Sequence, residues 1–125
     1  MARRPKIPDT SSPERRDTYH HGDLKRALTD AALRLVQEKG PKGFTLREVA
    51  RRAGVSAAAP YRHFADKAQL LAAVATLGFV QLHEALTATA AKTTDLHAQV
   101  IAMGRTYVRW AITHADYYQV MFGSE

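Results

Sequence analysis

Apolar positions along this chain recur at helical spacing, and nowhere do they alternate in the period of two that a strand requires. Leu24, Leu28, Ala31 and Leu35, with Ala27, Ala32 and Val36 beside them, predict a first helix from about Asp23 to Lys39. Gly22 precedes it, Asp23 places negative charge at its positive end, and Gly40-Pro41 stops it. Leu46, Val49, Ala50 and Ala53 mark a shorter second helix, with Thr45 as its N-cap and Gly54 as the residue that turns the chain. Phe44 is placed to pack beneath the first helix, Val55 to be buried at the corner, and Ser56 to cap a third short helix. Together these make a helix-turn-helix. From Asp66 onward, Leu70, Leu71, Val74, Leu77, Leu82 and Leu86 predict a long connecting helix that fades in the Thr- and Ala-rich stretch 87–94. Asp95 caps a further helix with Leu96, Val100, Met103, Tyr107 and Trp110 on one face. His114-Ala115-Asp116 interrupts it, and Tyr117 to Phe122 form a short aromatic segment. The expected class is all-α: a three-helix helix-turn-helix domain, a long connecting helix and further helical segments.

Charge changes the picture because it is unevenly spread. Residues 1–67 hold 15 Lys/Arg against 8 Asp/Glu, a balance of +7, whereas residues 68–125 hold 3 against 4, a balance of −1. Ten of those fifteen cations are arginine, which leans toward phosphate or base recognition over a merely solvated surface. A basic half joined to a neutral half is the outline of a polyanion-binding domain attached to something else. Residues 1–18 carry three of the five prolines and almost nothing apolar, so they are expected to be a disordered basic arm. Its Arg3, Arg4, Lys6, Arg15 and Arg16 are candidates to lie along a DNA groove, with Arg15 and Arg16 nearest the folded part. The remaining divisions are a helix-turn-helix domain over 19–66 and a second helical domain over 67–125.

Other chemistries are poorly supported. With no cysteine, disulfides and thiolate metal sites are excluded and an intracellular location is favoured. The basic N-terminus is not followed by an apolar run, so no signal peptide is expected, and no uninterrupted apolar stretch approaches a membrane span. A soluble cytoplasmic protein without membrane partners is the expectation. His20-His21 diverge as neighbours, His83-Glu84 lacks the second histidine of a zinc protease motif, and Ser56, His63 and Asp66 have no nucleophile elbow. No catalytic residue, metal site or cofactor is expected, and the chain is not expected to be an enzyme.

The run TLREVARRAGVS, followed by PYRHF and ADKAQLL, closely resembles the TetR family of bacterial transcriptional regulators, and YHHGDLKRAL (Tyr19–Leu28) is similar to that family's entry to its first helix. The resemblance is specific over about residues 19–86; Gly104 to Phe122 is more loosely similar to later helices of one branch of the family. It implies a DNA-binding head and, over 67–125, a partial helical regulatory domain for ligand binding and dimerisation, acting as a homodimeric repressor of an operator in double-stranded DNA and released by a small molecule. Members continue through further helices that form the dimer interface, and this chain ends before them.

Carried over by residue, the resemblance puts Ser56, Ala57 and Ala58 against base edges, where the alanines offer only methyl contacts and Ser56 divides its hydroxyl between capping and phosphate. Pro60 removes the N–H that would bond back to the Ser56 carbonyl. Direct readout is therefore expected to be weak, and phosphate clamping and DNA shape to carry much of the binding. The expected clamps are Thr45, Tyr61, His63 and Lys67, with Arg47 as a further candidate. Arg51, Arg52 and Arg62 are expected to be solvated or paired with Glu48, and the competing role for Tyr61 is packing on Phe64. Phe79, His83, Met103, Tyr107 and Trp110 are candidates to line a pocket for a small apolar or aromatic effector, set against an ordinary helical core. A rival reading is a truncated ligand-binding or protein-interaction module without operator binding, resting on the aromatic segment Tyr117–Phe122 and the missing dimer helices.

Overall fold

The computed structural model describes residues 13–123, with side chains from residue 22 onward. Its elements are α1 (Pro13–Lys39), α2 (Leu46–Ala53), a 3₁₀ helix (Ala59–Arg62), α3 (Lys67–Ala90), α4 (Leu96–Thr113) and α5 (Ala115–Phe122). The described residues are all-helical, as the periodicity predicts.

α1 starts ten residues ahead of the expected Asp23, so residues 13–18, which composition assigned to the arm, continue the helix. Pro13 suits a first helical position because its missing N–H has no intrahelical partner there anyway. Gly22 weakens the helix interior by about 1 kcal/mol relative to alanine without breaking it. Residues 1–12, with Arg3, Arg4 and Lys6, lie outside the described residues. α1 ends as expected: Gly40 has φ 77° and donates its N–H to the Val36 carbonyl at 2.8 Å. The link that follows is tight, since a Cβ on Gly43 would collide with the Lys39 carbonyl.

α2 is held at both ends by its own sequence. The Thr45 hydroxyl accepts from the Glu48 N–H at 3.2 Å. At the other end Gly54, at φ 73°, donates to the Arg51 carbonyl while Val55 donates to that of Ala50 at 3.0 Å, a Schellman closure. The apolar face so presented is buried: Leu46 and Val49 join Leu28, Ala32, Leu35 and Val36 of α1, with Phe44 and Phe64, in one core. That core does not stop at residue 66. Leu70 and Val74 of α3 are fully buried in it, and Tyr117 and Val120 of α5 pack against it. Gln37 of α1 donates to the Asp116 carboxylate at 2.8 Å, tying α5 to α1.

α3 opens on Asp66, whose carboxylate accepts from the Gln69 N–H at 2.9 Å, while the Gln69 side chain accepts from the Ala65 N–H at 2.9 Å. Although polar residues punctuate it, its mean hydropathy reaches 1.4 over 18 residues, so by length and composition it could cross a bilayer. Here it packs on α1, α4 and α5. Gly78 permits the close approach of α5, because a Cβ there would stand 2.5 Å from Met121 Sδ. Thr89 and Thr106 share a hydroxyl hydrogen bond of 2.8 Å between α3 and α4.

Two expected faces differ from those observed. Leu77 is 43% exposed, outside the buried line Leu70, Val74, Gly78, Leu82. The predicted single face of α4 is divided: Trp110 is buried and Met103 and Tyr107 half-buried, but Leu96 and Val100 stand in solvent. α5 meets α4 at Tyr107 and Trp110, and the first turns of α4 lie beyond those contacts.

Candidate nucleic-acid interface

Between α2 and α3 the backbone follows Pro60. An α-helix begun at Ser56 would lack the hydrogen bond from residue 60 to residue 56. The chain closes tighter turns instead: the Ala59 N–H donates to the Ser56 carbonyl at 3.0 Å, Tyr61 to Ala58 at 3.2 Å and His63 to Pro60 at 3.1 Å. The expected third α-helix is therefore a 3₁₀ helix of four residues. Its N-cap position falls at Ala58 with no side-chain hydrogen bond, so the expected capping by the Ser56 hydroxyl is not formed. Ala59 and Pro60 face inward, whereas Ser56, Ala57 and Ala58 are exposed. Tyr61 is 61% exposed, which removes the competing role of core packing on the buried Phe64. His63 is half-buried with its ring 6.1 Å from that of Phe64.

Thr45 and Arg47 are exposed at the N-terminus of α2. Among the described side chains two ion pairs join α1 to α2, and Arg47 enters neither. In the first, Lys39 Nζ lies 2.7 Å from the Glu48 carboxylate. In the second, both terminal nitrogens of Arg52 grip both oxygens of Glu38, at 2.8 and 2.7 Å. Arg52, expected to be solvated or paired with Glu48, is thus paired with Glu38 instead. The hydrogen bonds from Arg52 hold the Glu38 carboxyl below the usual range and raise the guanidinium in return. Glu48 is lowered in the same way by the Lys39 hydrogen bond. Nothing local in the sequence signals either pair, because the partners are nine and fourteen residues apart on different helices.

Lys67, the first residue of α3, is half-buried and turned inward. Its Nζ donates to the Phe44 carbonyl at 2.6 Å and lies 4.2 Å from the centre of the Phe44 ring. Burial pushes its pKa down, and the negative charge of Glu48 partly offsets this. The side chains of Arg15 and Arg16 fall outside the described ones, although their backbone belongs to α1.

The five candidate effector residues are not gathered at one place. Phe79 meets Phe122 edge-on at 5.4 Å, Phe122 lies 4.8 Å from Tyr118, and Tyr118 shares a hydroxyl hydrogen bond of 3.1 Å with Tyr107. Trp110 belongs to a separate group, stacked on His114 at 4.6 Å with Tyr117 beyond it. Met103 is half-buried on α4 and His83 stands in solvent on α3. A groove of about 660 Å³ between α1, α3 and α5, with Arg26, Thr76, Gln81 and Tyr117 in its walls, is lined by none of the five.

Comparison with known proteins agrees with this geometry. Residues 28–74 match the family described as bacterial regulatory proteins, tetR family. The HTH-type transcriptional regulator BetI of Rhizobium meliloti (strain 1021) is 47% identical over 49 residues, which are 39% of this chain and 24% of that protein. BetI of Agrobacterium fabrum (strain C58 / ATCC 33970) is 47% identical over 47 residues, 38% of this chain and 23% of the relative. The alignments thus span about a quarter of these relatives' length. Among solved structures, a protein of unknown function from Rhodococcus sp. RHA1 superposes with a TM-score of 0.72 at 39% identity, covering 84% of this chain and 55% of the other. A TetR family transcription regulator from Marinobacter aquaeolei VT8 shares the fold at a TM-score of 0.69 and 22% identity, over 83% of this chain and 55% of that one. The helix-turn-helix of residues 46–62, built on the core that α1 and α3 complete, lies within the matched stretch, and over residues 28–74 the chain is similar to the tetR family of bacterial regulatory proteins.

Proposed function

We propose that this chain is a DNA-binding transcriptional regulator whose operator is double-stranded DNA, acting as a repressor that a small-molecule effector releases. The observation that carries the DNA reading is the exposed segment Ser56–Ala58 with Tyr61, held off the core by buried Ala59 and Pro60 in a half of the chain with a charge balance of +7. Alanine methyls and one hydroxyl supply little direct readout, so phosphate contacts and DNA shape dominate. Thr45, Arg47, Tyr61 and His63 form the proposed phosphate grip, and the Arg15-Arg16 segment adds to it. The repressor sign, effector release and homodimeric assembly rest on the family resemblance, as does work in the cytoplasm, where the operator is found. The proposed small apolar or aromatic effector draws on Phe79 and Tyr107, which the aromatic row through Phe122 and Tyr118 connects, whereas His83, Met103 and Trp110 stand apart from that row. The function is that of a binding protein and not of an enzyme.

Selection of duplexes from a random library by the full chain, followed by affinity measurements across salt concentrations, tests this reading. The expected log–log slope is about −0.9 for each phosphate neutralised. Failure to select any duplex, or salt-insensitive binding, sinks it. The alternative, a ligand-binding or protein-interaction module without operator binding, draws on the exposed apolar residues of α4, where Leu96 is 73% and Ile112 74% exposed. Light scattering separates the two, because a strict monomer engages only one half-site.

A further inference from the structure

Residues 68–125 hold three Lys/Arg, namely Lys92, Arg105 and Arg109, and all three line one groove of about 520 Å³ between the end of α3 and α4. No Asp or Glu stands in its walls, and among the described residues none of the three cations enters an ion pair. Lys92 suits its place, since a cation just past a helix C-terminus meets the negative end of the dipole. Arg105 and Arg109 have no such local reason: four residues apart on α4, they share a face on which like charges repel. Nor do these cations reach the helix-turn-helix. α3 has 24 residues and so is about 36 Å long, with Lys67 beside Phe44 at its start and Lys92 beyond its end. The threonine hydroxyls between the two helices are already engaged, Thr89 donating to the Ala85 carbonyl at 3.0 Å and lying 2.8 Å from the Thr106 hydroxyl. The charges therefore supply the grip. From the same two arginines a second groove, of about 670 Å³, runs on along α4 with Ile101, Gly104, Val108 and Ile112 in its wall. These apolar residues are exposed, and a Cβ on Gly104 would meet nothing within 4 Å. A cationic seat thus opens onto an apolar channel, and Phe79, His83, Met103, Tyr107 and Trp110 line neither part.

The geometry points to a binding site for an amphipathic organic anion. Arg105 and Arg109, with Lys92, hold its carboxylate or phosphate group, and its apolar tail lies along Ile101, Gly104, Val108 and Ile112. Guanidinium forks match such head groups with paired hydrogen bonds. A second copy of α4 is a poor occupant, because that helix carries no Asp or Glu to meet the arginines. The site goes beyond the proposed function and does not depend on it. Calorimetric titration of the full chain without DNA tests it, using decanoate and decyl phosphate as the two head groups and decanol as the uncharged tail. One of the two anions is expected to bind at least about tenfold more tightly than decanol, the scale of one charge-assisted hydrogen bond. Arg105→Met/Arg109→Met keeps the aliphatic stems and should remove that tenfold advantage while decanol affinity holds. Gly104→Leu, a better helix former, fills the channel and should weaken anion and decanol together. Helicity by circular dichroism confirms that both variants fold, and Lys42→Met, at an exposed lysine in the link between α1 and α2, should leave every affinity unchanged. Equal binding of anions and decanol, an undiminished advantage in the double variant, or the same loss in Lys42→Met overturns the inference. So does a salt slope for duplex binding that the double variant reduces, which would assign the arginines to the DNA backbone. Should the wild-type chain select no duplex, the proposed function fails and the anion titration stands by itself.

Discussion

At the scale of single residues, the turn of the helix-turn-helix depends on a conformation that side chains resist. Gly54 sits at φ 73°, and its N–H and that of Val55 close α2 only from there. Alanine at this position meets no neighbour within 4 Å, so the cost is the left-handed backbone alone, about 1–2 kcal/mol. Gly54→Ala is expected to lower the stability read from urea unfolding by that amount without altering the slope of the transition. Tyr61 is the complementary case, an exposed residue whose loss leaves the core intact. Tyr61→Phe should change stability by less than about 0.5 kcal/mol. Binding to selected and scrambled duplexes alike should weaken, as expected for a phosphate contact; weakening confined to the selected duplex would assign the hydroxyl to base readout instead. The glycine was legible from its place after an apolar run. The exposure of Tyr61 was not, because PYRHF is compatible with either side of the turn.

At the scale of elements, two ion pairs fasten α2 to α1, and both carboxyls titrate below their ordinary values. The sign follows from linkage: an acid whose folded pKa is depressed adds stability above its unfolded pKa, and that contribution is lost as pH falls through the folded value. Stability is therefore expected to decline below about pH 4.5, the decline being weaker in high salt because both pairs are solvent-exposed. Urea unfolding at several pH values, compared between the wild type and a Glu38→Gln/Glu48→Gln variant, checks this: the double variant should have a flatter acid limb. A second element-scale prediction concerns α4 and α5. Trp110 is buried and stacks on His114 between those helices, so Trp110→Ala should cost about 3–5 kcal/mol in unfolding free energy. It should loosen α5 before α2, which hydrogen exchange would resolve as protection lost first at residues 115–122.

At the scale of the whole molecule, the core of the helix-turn-helix continues into the helices that follow it. Leu70 and Val74 of α3 complete the core begun by α1 and α2, and α5 leans on the same cluster. A boundary drawn at residue 66 from the change in composition therefore cuts through continuous packing. Determined by the sequence alone were the all-helical class, the caps at Thr45, Asp66 and Asp95, the glycine stops at Gly40 and Gly54, and the basic half. Each of these follows from spacing or conformational preference within a few residues, so each is written locally. The tertiary structure alone decided the pairing of Arg52 with Glu38, the inward turn of Lys67 onto Phe44, and the division of the α4 face into buried and exposed parts. Those depend on which helices meet and how far each covers its neighbour, a matter of long-range packing that periodicity in one element does not contain.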